Sequence, residues 1–128
     1  MFSKVADVLM DHDLASFGDA LVNFIFSMAL SKVSGRFCGV RVRNRVLAEA
    51  LSRCGLRGFL GGRVDVHVKG NAVEALLAYV WVSGKASLMD LVNVLASSLP
   101  SEGFEDFNVQ VEAFSALLKF VLVKLSEG

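Results

Sequence analysis

The sequence predicts an all-α fold, a single-domain bundle of five or six helices, and three observations carry that prediction. Apolar residues recur at spacings of three and four along most of the chain, the period of a helix face. Glycines stand where several of these stretches end, as helix stops do. The one stretch that alternates instead, Val64 to Lys69, has no neighbouring run to pair with, so a sheet has no second strand.

A first short helix is expected after Ser3, running to about Met10. The next stretch, Leu14–Leu30, carries Leu14, Phe17, Leu21, Phe24 and Met28 on one stripe, with Ile25, Phe26 and Leu30 outside it. A helix apolar on more than one side packs within its own subunit and against another. Gly35 is its expected stop. "NRVLAEALSRCG" gives a third helix from about Arg43, closed by Gly55, after which Gly58, Gly61 and Gly62 break the chain. "RVDVHVKG" alternates valines with Asp65, His67 and Lys69 and is expected to be an extended, covered piece. A fourth helix is expected from about Asn71 to Ser83, with Gly84 as its cap. Ser87 and Asp90 form a capping box that opens a fifth, to about Ser98. Pro100 to Phe107 is a loop. Val109–Leu125 is a final amphipathic helix with Val111, Phe114, Leu117, Leu118, Val121 and Leu125.

At 128 residues, 54% hydrophobic and 20% charged, residues 1–128 suit one ordered domain rather than two. The high hydropathy implies apolar surface buried between subunits or a segment in a membrane. The longest uncharged apolar run, Ala20 to Leu30, falls short of the roughly 20 residues a spanning helix needs. The comparable run Ala72 to Val82 contains Glu74, and the first thirteen residues lack the pattern of a secretory signal. The expectation is a cytoplasmic oligomer with no membrane partner. Cys38 and Cys54 form no C-x-x-C pair and have no paired histidines, which argues against structural zinc.

The formal net charge is zero, yet nine of the thirteen basic residues lie between positions 32 and 69: Lys32, Arg36, Arg41, Arg43, Arg45, Arg53, Arg57, Arg63 and Lys69. Only Glu49 and Asp65 are acidic there. Such a stripe is either a solvated face or the electrostatic footprint of a phosphate-backbone binder.

Two stretches carry something more specific. "LASFGDAL" places Gly18 and Asp19 inside an apolar helix, where glycine costs about 1 kcal/mol against alanine and an unpaired carboxylate costs more. "KGNAVEALLAYVWVSG" follows some fifty residues later. Together they resemble the ribonuclease III catalytic domain, whose first motif reads E-R-L-E-F-L-G-D-A and whose second is similar to K-G-D-x-V-E-A-L-x-G-x-x-Y-L-x-G. "RNRVLAEAL" resembles the helix the family places between them. The likeness spans roughly Leu14 to Lys85. It is nearest to the small Mini-ribonuclease III type, whose first motif is similarly reduced and which lacks a double-stranded-RNA-binding domain.

The resemblance implies that Gly18 permits close helix approach and that Asp19 faces Glu74 across an active-site valley. It implies Asp19 and Glu74 as catalytic residues, and as ligands of Mg²⁺ or Mn²⁺ with Asn71. His12 and Ala15 stand where the larger enzymes carry glutamates, and Asn71 stands where they carry an aspartate. It also implies a homodimer through the Leu14–Leu30 helix, acting as a metal-dependent endoribonuclease on double-stranded or structured RNA. Arg41, Arg43, Arg45 and Lys69 are the candidates for RNA phosphate contact. The alternative is a catalytically silent dimer of the same fold that binds RNA or serves as a scaffold. Plainer roles stand beside these: Asp19 paired to an arginine across the interface, Glu74 on a helix surface, Asn71 as a helix cap, His12 in an exposed turn.

Overall fold

Asp11 starts the longest helix of the bundle. Its backbone is extended and its carboxylate accepts a hydrogen bond from the Leu14 N–H at 2.9 Å, satisfying a donor the first turn leaves free. The helix then runs for 23 residues and ends at Gly35, which takes the left-handed conformation (φ 75°) and donates to the Ser31 carbonyl. In this computed structural model, which describes residues 5–60 and 64–127, the helices are α1 (Val5–Leu9), α2 (His12–Ser34), α3 (Asn44–Arg53), α4 (Val66–Val82), α5 (Leu88–Ser97) and α6 (Phe107–Ser126), with a 3₁₀ turn at Leu56–Phe59 between α3 and α4. Ser3, Gly61, Gly62 and Arg63, named above, lie outside the described residues.

The core forms around α4, buried from Ala72 through Ala78 and again at Val80. α2 packs along it, α1 and α3 flank it, and α6 closes the far side against α3 and α5. Phe26 of α2 meets Phe114 of α6 with ring centroids 5.5 Å apart. The capping box of α5 is present as expected, with Ser87 and Asp90 bonded reciprocally at 3.0 Å. α6 begins at Phe107, ahead of the expected Val109, because Asp106 accepts from the Asn108 and Val109 N–H groups.

Two expectations need correction. The alternating piece from Val64 to Lys69 is not extended. Asp65 accepts from the Val68 N–H at 2.9 Å and caps a helix that starts at Val66. Period-two valines are overridden there by a strong N-cap and by the buried helix that follows. Asn71 therefore lies more than a turn inside α4 and is not its cap.

The second correction concerns α2. It is long and apolar enough, by length and composition, to cross a membrane, because the helix continues past both ends of the uncharged run. Its inward side is nonetheless the bundle's own core: Leu21, Val22, Ile25, Phe26, Ala29 and Leu30 are all buried. The stripe of Leu14, Phe17, Leu21, Phe24 and Met28 is split: Leu21 is buried, Leu14 and Met28 are half-buried against the core, and Phe17 and Phe24 face outward. Phe17 and Phe24 are about half exposed, and Phe17 stacks on Trp81 with centroids 5.9 Å apart. Of the aromatic residues Phe17, Phe24, Phe26 and Trp81, only Phe26 is core.

Candidate active site

Gly18 decides how closely α2 and α4 approach. A Cβ at this position would overlap the backbone carbonyl of Glu74, so no other residue allows this crossing. That contact places the next residue, Asp19, beside the Glu74 side chain. Among the described residues Glu74 is the one charged side chain in the buried class, at 5% exposure. Its carboxyl is pushed up to about 8, first by burial, then by a hydrogen bond to Asp19 and by the Asp19 charge, with Arg41 pulling the other way. At neutral pH the metal-free pair therefore holds a proton between two carboxyl groups.

Asp19 and Glu74 line a polar hollow of about 480 Å³ with His12, Ala15, Ser16, Arg41, Val42, Asn44 and Asn71. The hollow brings together five residues singled out from the sequence on α2 and α4, His12, Ala15, Asp19, Asn71 and Glu74, and one arginine from the basic segment. Alanine at position 15 leaves one wall without a carboxylate.

Sequence reasoning missed how Arg41 arrives there. The segment from Cys38 to Val42 runs back along α2 with no strand beside it. Its N–H groups bond instead to α2 side chains: Cys38 to Ser31 at 3.0 Å, Val40 to Ser27 at 2.9 Å, Val42 to Asn23 at 2.7 Å. Four helical residues advance about 6.0 Å and two extended residues about 6.6 Å, so a helix polar at every fourth residue matches a strand-like chain at every second. Cys38, Val40 and Val42 turn inward against the core, while Arg41 and Arg43 turn outward. Asn23 also donates to the Asp19 carbonyl at 2.9 Å and to its carboxylate at 3.4 Å. Arg41 then meets the Asp19 carboxylate at 3.5 Å. Asp19 is thus paired with an arginine, but within one chain and not across the interface as expected. The sequence signal was present in "NFIFSMALS" and "CGVRV", whose two periods interlock.

The other basic candidates lie elsewhere. The guanidinium groups of Arg43 and Arg45 sit 5.5 and 5.6 Å from the centre of the Phe107 ring, and the Lys69 ammonium bonds Ser52 at 3.2 Å. None of the three lines the hollow, so of the four candidates for phosphate contact only Arg41 does. His67 is close to Asn44 at 3.3 Å. Both cysteines are free, and burial pushes the Cys54 thiol up.

Among the described residues no three His, Cys, Asp or Glu side chains gather as a metal site. The hollow offers two carboxylates and the Asn71 amide oxygen. That set suits a hard cation that keeps most of its waters. A divalent cation held by this set would offset the repulsion between Asp19 and an ionised Glu74.

A family model described as Ribonuclease III matches residues 12–127. No curated protein gives a match. The matched span begins at His12, on the rim of the carboxylate hollow, and takes in both helices that build it. The chain belongs to the ribonuclease III family.

Proposed function

We propose that the chain is a metal-dependent endoribonuclease of the small Mini-ribonuclease III kind, hydrolysing phosphodiester bonds in double-stranded or structured RNA. The observation that supports it most is the buried Glu74 carboxyl hydrogen-bonded to Asp19 in a polar hollow. A buried like-charge pair costs stability, and such costs are retained where a site needs them.

Asp19 and Glu74 would hold Mg²⁺ or Mn²⁺, with the Asn71 carbonyl oxygen as a third, uncharged donor. Bound there, a divalent cation supplies Lewis acidity, making hydroxide available near neutral pH and offsetting charge that develops on the phosphodiester. Glu74 would hold the cation in its ionised form, so binding would be proton-linked. Asn23 orients the Asp19 carboxylate, and Gly18 fixes the spacing of the pair. Arg41 contacts the RNA backbone at the hollow, and Arg43 and Arg45 contact it further along. Those contacts read shape and phosphate, as A-form RNA requires.

The exposed aromatic residues on and just beyond α2 support a homodimer. Phe17 and Phe24 are half exposed and Phe37 is fully exposed, and two-fold pairing there would give two hollows for two strands. The working protein is proposed to be cytoplasmic, with no membrane partner.

Incubation with long double-stranded RNA and Mn²⁺ tests the reading. Cleavage by the wild type and none by Glu74→Gln is the expected result. Duplex binding without cleavage, in the presence of Mn²⁺, would favour the silent RNA-binding reading, to which the missing third carboxylate lends weight.

A further inference from the structure

We propose that Arg41 is a tethered counter-cation of the active-site carboxylates, resting on Asp19 until an RNA phosphate draws it away and frees Asp19 for the divalent cation. The inference rests on the function proposed above and adds an order to it: RNA binding and cation binding assist each other through one side chain.

Three observations carry it. The backbone on either side of Arg41 is held, since Val40 and Val42 are bonded to Ser27 and Asn23 of α2. The side chain itself is 79% exposed, and its partner Asp19 is 48% exposed. A charge on a fixed base with a free arm can change partners without moving the fold. There is also room for the move: Arg41 lines the carboxylate hollow on one flank and, on the other, a second hollow of about 440 Å³ bordered by Asn23, Phe24, Ser27 and Val40.

The charges set the direction. A guanidinium 3.5 Å from a carboxylate oxygen repels a divalent cation approaching that oxygen. The pair is exposed and so it is weak, within the range of about two- to five-fold in an equilibrium constant found for surface ion pairs. A weak latch is what the role needs, because a duplex phosphate must be able to open it. Coupling between two ligands is reciprocal, so whatever RNA gains from the move the cation gains too.

Two measurements test this on the full chain. Mn²⁺ is titrated calorimetrically into metal-free wild type, Arg41→Gln and Asp19→Asn. Arg41→Gln is expected to bind Mn²⁺ about two- to five-fold more tightly, and Asp19→Asn to lose most binding. A dye-labelled RNA duplex is then titrated in EDTA, where nothing is cleaved. Arg41→Gln should bind it more weakly, the opposite sign to its effect on Mn²⁺. Asp19→Asn should bind it more tightly, and that gain should shrink in the double variant by the same two- to five-fold, as a mutant cycle reads coupling. If Mn²⁺ binds at Asp19 but Arg41→Gln leaves its affinity unchanged, or if the duplex effects simply add, the latch is wrong while the function stands. If neither Mn²⁺ nor duplex binds the wild type, both fall.

Discussion

Of the hollows along α2, two are built on opposite principles. The one at its N-terminal half is polar, walled by Asp19, Glu74, Asn71 and Arg41. The one at its C-terminal half, about 770 Å³, is walled by Phe24, Met28, Phe37 and Cys38. The first holds a buried carboxyl beside a second one, and burial first, then the bond to Asp19 and its charge, push Glu74 up to about 8. The second has apolar surface in excess of what the subunit covers. Each is incomplete in a different kind of interaction, and the proposed function gives each a different partner: a cation for the first, an apolar surface for the second. The segment from Cys38 to Val42 borders both.

The largest effect should come from the glycine behind the polar hollow. Gly18→Ala puts a methyl group against the Glu74 carbonyl, and backbone cannot yield as a side chain would. Overpacking of this kind costs about 3 kcal/mol, of which better helix propensity returns no more than about 1 kcal/mol. A lower denaturant midpoint, with the apolar hollow's own behaviour unchanged, is the expected result. An unchanged midpoint would mean that the α2–α4 spacing is wrong.

The apolar hollow is broken by Phe24→Asp. A buried aromatic at the centre of an interface is worth about 2 kcal/mol or more, so a dimer seated there should become a monomer in light scattering. The polar hollow should keep its Mn²⁺ affinity in that variant. A dimer that survives the charge would place the interface elsewhere.

A third contrast is in pH. The Glu74 carboxyl is raised from 4.5 to about 8 in the folded chain, so between those values the native state holds more protons than the unfolded state. Stability of the metal-free protein should therefore fall as pH rises through that window, by at most about 1.4 kcal/mol per pH unit. Glu74→Gln should flatten the slope. Wild type and variant falling in parallel would sink the assignment of the proton to Glu74.

The smallest effect sharpens the comparison instead of breaking it. Asn71→Asp adds a third carboxylate to the polar hollow. It should tighten Mn²⁺ about ten-fold, or about 1.4 kcal/mol, and slightly destabilise the metal-free protein through added repulsion. No gain in calorimetry would mean that Asn71 does not reach the cation.

Much of this was legible beforehand, and the reasons differ by element. The capping box at Ser87 and the stop at Gly35 are local chemistry, so single residues announced them. Gly18 and Asp19 were legible as costs inside an apolar helix, and Glu74 through the resemblance of its helix to the family's second motif. The start of α4 was not, because three alternating valines imitate a strand while the deciding groups are the Asp65 cap and a core supplied by other helices. The faces of α2 were not either: both are apolar, and which one turns inward depends on where Gly18 lets α4 settle. Nor could Arg41 be told from Arg43 and Arg45 by composition. One is delivered to Asp19 by hydrogen bonds to α2 and the other two are held at Phe107, more than sixty residues along the chain.

The interlock of α2 with the returning segment has one more consequence, for tolerance to insertion and deletion. Loops usually accept a residue more or less. This one has a reading frame. Removing a single residue between Cys38 and Arg41 would exchange its two sides, turning an arginine toward the core and a valine toward solvent, as a one-residue slip does in a sheet. Two residues lost together would restore the sides but shorten the reach by one rung. The stretch is irregular by secondary structure, yet its length is as strictly set as that of any strand.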